Sequence, residues 1–337
     1  MPTLPSPGAL ALATSAIACL AFASCNLRHR APDIHVDGLE VTIGAYRLPD
    51  FPSPAYWTRT GPTADIPLVS AHRGRPDEPR FPENSLEGLR RLHAFGDFIA
   101  EIDVMRSRDG VLFLFHDREL DRRTANTGPA GERTWAELDT MRLRAPDGTL
   151  TDYTIPSLDE VLAFAKGRLL VSLDRKGATT YQQLADAAAE HDMTDDVSLI
   201  LYDEDDFRAF LALSPKPAMN QGVRTLGQVA TLAAGCKEWY AGDCPVNLFL
   251  GVGDLDRYLV EAASTTGLRS ILGTFGRLDE MAAANDGVTY RELHADGVSV
   301  IATNQPLLAA RALYGRRGVS GFGGSPTAPS ENTTAPR

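Results

Sequence analysis

Beyond its first 25 residues the 337-residue chain has no apolar run of about 20, the length a helix needs to cross a bilayer, which excludes a polytopic helical membrane protein. Positive charge is short too. The 33 Lys and Arg stand against 44 Asp and Glu, a formal net charge of −11, and a general nucleic-acid binder needs clustered cations. Cysteine is scarce, with only 4 residues and no zinc-type spacing. No glycine-rich dinucleotide fingerprint follows the first strand-like run, which counts against a Rossmann sheet. What remains is a globular composition, 43% hydrophobic. The length suits one domain of about 250 residues with extensions, or two ordinary domains.

The amino terminus carries its own signal. Residues 8–24, GALALATSAIACLAFAS, are apolar and rich in small side chains, as an export signal is. The following FASC is similar to the bacterial lipobox and predicts a lipoprotein of the periplasm or cell envelope, lipidated at Cys25. Phe22 replaces the usual leucine, no Lys or Arg precedes the run, and Arg28 and Arg30 follow it. A plain cleaved signal or a retained anchor are the alternatives. Cys236 and Cys244 lie in GCKEWYAGDC, read as a loop able to close a disulfide in an oxidising compartment; two independent thiols are the alternative. Residues 26–65 read as an extension or tether with a small strand in LEVTIGAY, and the Gly/Ser/Pro/Thr-rich residues 317–337 as a disordered tail.

Between these ends, strand-like runs alternate with helix-like ones. Strands are predicted at 66–71, 98–104, 168–173, 197–201, 246–251, 269–273 and 298–302, with a weaker one near Ala218. Helices fall in SLEGLRRLHAF, SLDEVLAFA, YQQLADAAAEH, DEDDFRAFLAL, LDRYLVEAA and VTYRELHAD. This alternation predicts a mostly parallel sheet, and seven or eight units favour a (β/α)8 TIM barrel over residues 66–316.

In such a barrel the chemistry gathers at the carboxyl ends of strands. The first strand delivers His72, Arg73 and Gly74; the second delivers Glu101 and Asp103; a further apolar run delivers His116 and Asp117; the third delivers Asp174, with Lys176 just after. Each has an ordinary reading: outward polar alternation for EID, a surface ion pair for Asp174 and Lys176, a helix cap for Asp117. Together they need several coincidences at one end of one sheet. The joint reading is chemical. Glu101, Asp103 and Asp174 offer hard oxygens suited to Ca²⁺ or Mg²⁺ rather than Zn²⁺. Arg73 and Lys176 suit a phosphate, and His72 and His116 suit acid–base work near neutrality. The predicted reaction is phosphodiester cleavage of a small molecule, with no nucleic-acid partner and a membrane reached only through the lipid anchor.

The run AHRG, PENS, EIDVMRSRDGVLFLFHD, LDRRTANTG, IPSLDEVL and LDRK, residues 68–176 in order, resembles the glycerophosphodiester phosphodiesterase family, as does GVSVIATNQP at 297–306. The resemblance implies a TIM barrel that hydrolyses glycerophosphodiesters to an alcohol and sn-glycerol 3-phosphate. It implies one divalent metal on Glu101, Asp103 and Asp174, with His72 and His116 as the acid–base pair and Arg73 and Lys176 on the phosphate. It also implies that a neighbouring glycerol hydroxyl can attack first, giving a cyclic phosphate that water opens, and that a small hairpin-like insertion supplies His116. Glu83 and Asn84 of PEN are expected to support Arg73 or the ligands from behind; an amino-terminal helix turn accounts for the same residues. Three departures stand out: Asp174 where the family has Glu, Asn304 where it has Asp, and Phe275 in a region usually marked by tryptophan. A phospholipase-D-like transferase that releases a cyclic phosphate from lipids, and a non-catalytic phosphate- or glycan-binding lipoprotein, are the competing readings.

Overall fold

The computed structural model describes residues 34–36, 39–41, 46–58, 65–240 and 244–315. The signal segment with Cys25 and the tail from 317 lie outside the described residues. Eight parallel strands make up the barrel. They are β1 (Leu68–Ala71), β2 (Ile99–Arg106), β3 (Leu170–Arg175), β4 (Val197–Leu201), β5 (Ala218–Gly222), β6 (Val246–Val252), β7 (Arg269–Gly273) and β8 (Val300–Thr303). The sheet closes because β1 pairs with β8 on one side and β2 on the other. The expected (β/α)8 barrel is therefore the fold, including the weak strand at Ala218.

Helices α1 (Leu86–Phe95), α2 (Leu158–Ala165), α3 (Tyr181–Glu190), α4 (Glu204–Leu211), α5 (Leu226–Trp239), α6 (Arg257–Thr266), α7 (Arg277–Ala284), α8 (Val288–Ala295) and α9 (Pro306–Tyr314) follow the strands. Their starts are written locally. Ser157 with Glu160, Thr180 with Gln183 and Thr225 with Gln228 form capping boxes that satisfy otherwise orphaned backbone N–H groups. Of these nine helices, α5, α7 and α9 were not anticipated. Cys236, expected in a loop, sits inside α5, whose Gly- and Ala-rich sequence has little amphipathic contrast; only its capping box announced it. Cys236 and Cys244 are joined in a disulfide with Cα atoms 5.7 Å apart. Among the described residues, no helix is long and apolar enough to cross a membrane.

Strand alternation sorts side chains into two environments. Val69, Ile102, Leu173 and Leu199 face the helices in the main core. Inside the barrel, Leu68, Ile99, Leu170, Ala218 and Val300 pack at the amino-terminal ends of the strands with Tyr56 and Trp57 from the segment ahead of β1. Buried Arg269 donates from Nε to the Thr58 carbonyl (2.8 Å) and from Nη1 to that of Ile66 (3.3 Å), tying that segment on. Above this plug lies a polar layer. Asn220 donates to Ser172 (2.8 Å) and Ser198 (2.9 Å) and accepts from Asn247 (2.9 Å). Strands Ile34–Val36 and Leu39–Val41 pair antiparallel, the second falling where a small strand was expected.

The insertion after β2 is larger than the short hairpin expected. Leu112–Leu114 pairs antiparallel with the end of β2, and a hairpin of Arg142–Arg144 with Leu150–Thr154 extends it. It has a core of its own, in which Met105, Phe113, Phe115, Leu120, Leu138 and Ile155 pack together.

Candidate active site

At the carboxyl end of β1 the backbone turns left-handed. Arg73 (φ 57°) and Gly74 (φ 59°) both take positive φ, which costs a non-glycine residue about 1 kcal/mol or more. A Cβ on Gly74 would lie 2.7 Å from Leu89 Cδ2, so glycine is required there. The turn points the Arg73 N–H at Glu101 Oε2 (2.7 Å) and its carbonyl at the Asn84 N–H (2.7 Å). Asn84 in turn donates from Nδ2 to Asp103 Oδ2 (2.7 Å) and accepts the Asp103 N–H at 3.0 Å. The motifs HRG, PEN and EID are thus one hydrogen-bonded unit.

Residues two apart on a strand share a face, so Glu101 and Asp103 project together into the barrel mouth. Register sets Asp103 beside Asp174 of β3. One oxygen from each of Glu101, Asp103 and Asp174 lies within 4.8 Å of the others. Asp103 is 1% and Asp174 4% exposed, which is a costly place for adjacent negative charge. Burial pushes the Glu101 carboxyl well above the usual range, and Asp103 and Asp174 add to it. Asp174 is raised by burial and by Asp103, against the pull of Lys176. Lys176 Nζ bridges Asp174 Oδ2 (2.6 Å) and Asp103 Oδ1 (3.2 Å). Burial works against the Lys176 charge, but these two carboxylates hold its ammonium above its ordinary value. One lysine does not satisfy the set, since Asp174 Oδ1 is buried with no hydrogen-bond partner. Three carboxylates, an orphaned oxygen and a lysine standing in as cation fit a hard divalent ion.

His72 lines the same cavity, which holds about 590 Å³ of empty space out to bulk solvent and is lined also by Glu101, Asp174 and Tyr202. Its Nδ1 lies 2.8 Å from Asn304 Oδ1, and its ring stacks on Phe275 with centroids 4.0 Å apart. Burial lowers its pKa; Asn304 opposes that and Arg73 reinforces it. His116 comes from the insertion, anchored by the Phe115 N–H on the Asp103 carbonyl (3.0 Å). Its Nδ1 lies 2.8 Å from Asp117 Oδ1. Burial favours the neutral Asp117, but hydrogen bonds from Arg122 and His116 hold its pKa down to about 2. Arg73 Nη1 donates to Glu83 Oε1 (3.0 Å), and Arg122 (3.1 Å) and Arg123 (2.5 Å) converge on the same carboxylate. These cations keep Glu83 ionised against its burial. All the predicted site residues except Cys25 therefore fall in one connected network at one end of the barrel.

Sequence reasoning overlooked Tyr202 and Asp279. The Tyr202 hydroxyl donates to Asp174 Oδ2 at 2.5 Å; it immediately follows the apolar run of β4, and the strand-end rule would have found it. Asp279 is buried in α7 and accepts from Thr274 (2.6 Å), Thr303 (2.8 Å), Tyr290 (3.0 Å) and the Asn304 N–H (2.9 Å). It fixes the turn that carries Asn304 to His72. Nothing in the spacing of residues 279 and 304 announces that contact.

Residues 72–233 match the model of the glycerophosphoryl diester phosphodiesterase family. A glycerophosphodiester phosphodiesterase of Caldanaerobacter subterraneus subsp. tengcongensis is 28% identical over 155 residues, 44% of this chain and 63% of that protein. The chain spans less than two thirds of the length of the curated relatives it matches. The crystal structure of a glycerophosphoryl diester phosphodiesterase from Parabacteroides distasonis superposes with a TM-score of 0.70 at 25% identity, covering 78% of this chain and 91% of that one. An Oleispira antarctica phosphodiesterase, solved with its product sn-glycerol-3-phosphate, shares the fold at a TM-score of 0.57 and 22% identity, over 73% of this chain and 96% of that one.

Proposed function

Because the chain belongs to the glycerophosphoryl diester phosphodiesterase family, we propose that it hydrolyses glycerophosphodiesters to an alcohol and sn-glycerol 3-phosphate. The observation that carries the reading is the convergence of Glu101, Asp103 and Asp174 with Arg73 and Lys176 beside His72. Glu101, Asp103 and Asp174 would hold a divalent cation, Ca²⁺ or Mg²⁺, which when bound would supply Lewis-acid polarisation of a phosphoryl oxygen.

The protein's own groups do the rest. Arg73, held by Glu83 and with its Nε 3.9 Å from Asp103 Oδ2, brings a guanidinium against the carboxylate set, where its charge would favour a phosphate. Lys176 Nζ, held beside Asp174 and Asp103, places a compact positive charge next to the site where the phosphate would lie. With Nδ1 engaged by Asn304, His72 leaves Nε2 to take the proton of the attacking hydroxyl or water. His116, oriented by Asp117, returns a proton to the departing alcohol oxygen. The new O–P bond forms as the old P–O bond breaks, and the two protons balance. Glu83 and Asn84 orient Arg73 and Asp103 from behind.

Export to the periplasm or cell surface, with Cys25 lipidated, completes the proposal; the Cys236–Cys244 disulfide supports an oxidising compartment. Radiolabelled fatty acid incorporated by the full chain, and absent in Cys25→Ser, is the check on the anchor. The activity test is release of sn-glycerol 3-phosphate from glycerophosphocholine and glycerophosphoethanolamine, after EDTA and then with added Ca²⁺ or Mg²⁺. Metal-restored release is expected. No release under either metal would overturn the reading.

A further inference from the structure

His116 and Asp117 follow the short strand Leu112–Leu114 of the insertion, and their side chains are 32% and 21% exposed. An imidazole with that much solvent around it keeps one orientation only if its partner is itself held. Arg122 holds it. Its Nε donates to Asp117 Oδ2 (2.5 Å) and its Nη2 to Asp117 Oδ1 (2.6 Å), a two-point fork that fixes the plane of the carboxylate as well as its place. Asp117 Oδ1 is the same oxygen that faces His116 Nδ1. Burial alone favours the neutral acid, and the Arg122 hydrogen bond leads the interactions that keep Asp117 charged.

Two anchors steady the arginine. Behind it, the turn through residues 120–124 is built on Leu120, which is fully buried in the insertion's own core. The Leu120 carbonyl accepts the N–H groups of Arg123 (3.3 Å) and Thr124 (3.0 Å), and the Leu120 N–H donates to the Gly128 carbonyl (3.0 Å). In front, Arg122 Nη2 also reaches Glu83 Oε1 (3.1 Å), the oxygen to which Arg73 Nη1 donates. Among the described residues, Arg122 alone pairs with both the carboxylate beside His116 and the carboxylate beside Arg73. An isolated surface ion pair does little. A bidentate one fixed between two site carboxylates sets geometry.

We propose that Arg122 is a positioning residue for proton delivery to the leaving alcohol, holding His116 through Asp117 and tying that pair to the barrel at Glu83. The inference rests on the diesterase reading for its chemistry. Water's oxygen bonds to phosphorus and its proton passes to His72. The P–O bond to the alcohol breaks, and the His116 proton passes to the alcohol oxygen. An alkyl alcohol needs that proton, whereas p-nitrophenol leaves as a stable anion without it.

The test compares glycerophosphocholine with the p-nitrophenyl ester of glycerol 3-phosphate, both with added Ca²⁺ or Mg²⁺. Arg122→Gln should lower kcat on glycerophosphocholine by about ten- to hundredfold, with an unchanged melting curve. On the nitrophenyl ester the loss should stay under about threefold, because Glu83 still holds Arg73 and no proton is required. Arg122→Lys, which keeps the charge and loses the fork, should show the same split. His116→Ala sets the upper limit of the split. Adding Arg122→Gln to it should cost nothing more, since a positioning residue acts only through its partner. Arg123→Gln is the control, for it removes a cation from Glu83 without touching Asp117, and it should not separate the two esters. Equal losses on both esters in Arg122→Gln, or losses that add to those of His116→Ala, would overturn the positioning role and leave the diesterase reading standing. A split that Arg123→Gln reproduces would assign the effect to Glu83 instead. Equal losses on both esters in His116→Ala would deny His116 the role of acid, and a wild type that turns over neither ester would sink the diesterase reading; the inference falls in either case.

Discussion

The two halves of the barrel mouth solve different problems with the same strand geometry. On the β1–β3 side, inward positions carry Glu101, Asp103 and Asp174, and every carboxylate needs support. That support comes from Asn84, Lys176, Tyr202 and a left-handed turn at Arg73 and Gly74. On the β4–β7 side the wall is mostly Ile200, Phe249, Ile271 and Phe275, which need no partners, and Asn220 of β5 is satisfied by Ser172, Ser198 and Asn247 beneath them. The charged half is consequently specified by precise hydrogen bonds, and the apolar half mainly by shape. Polar burial is costly unless paired, so substitutions should be felt more sharply on the charged side.

The largest effect is expected from Glu101→Gln. It removes a charge from the carboxylate set, and metal titration should show lost affinity with turnover near background. If Glu101→Gln titrates and turns over normally, the charged half is not a metal site. His116→Ala comes next, with kcat falling by about 10²–10⁴ and an unchanged melting curve. Gly74→Ala strikes the frame instead of the chemistry. Its positive φ and the 2.7 Å approach to Leu89 predict destabilisation of about 1–3 kcal/mol, read by denaturant titration.

Asn304→Asp tests the boundary between the halves. The wild-type pairing leaves His72 with a pKa lowered mainly by burial, among Arg73, Asp103 and Glu83 and with Glu101 in the same cavity. A carboxylate on Nδ1 favours the imidazolium and raises that pKa. A base must be neutral, so activity falls as pH drops through its pKa. The acidic limb of the pH–rate profile should therefore move up by about one unit or more. An unmoved limb would deny His72 the role of base. Smallest is Tyr202→Phe. Loss of its hydrogen bond to Asp174 should weaken metal binding by about tenfold and leave stability within about 0.5–1.5 kcal/mol of wild type.

Much of this was legible without coordinates, and the reason is local. Period-2 alternation put Glu101 with Asp103 on one face, and the parallel βα order implied that the strand ends converge. At Ser157 and Thr180 the helix starts rest on capping chemistry confined to four residues, and both helices were read from the sequence. By contrast, α5 was missed, and its last turns around Cys236 read as a loop, because its interior is small and nearly uniform. The insertion after β2 was underestimated because a core such as Phe113 with Leu138 and Ile155 is built from distant, individually weak segments.

The sequence by itself determined the barrel and singled out the carboxylates, cations and histidines gathered at its mouth, since motif order and strand parity depend only on neighbours along the chain. Tertiary structure alone decided which partner each group meets. His72 is held by Asn304, 232 residues away, and Asn304 by a buried Asp279. Asp174 answers to Tyr202 across an adjacent strand, and the apolar arc exists only because the ends of three separate strands, β4, β6 and β7, come to face one cavity. Such contacts depend on closing the sheet, and no local pattern encodes where two distant residues meet once it has closed.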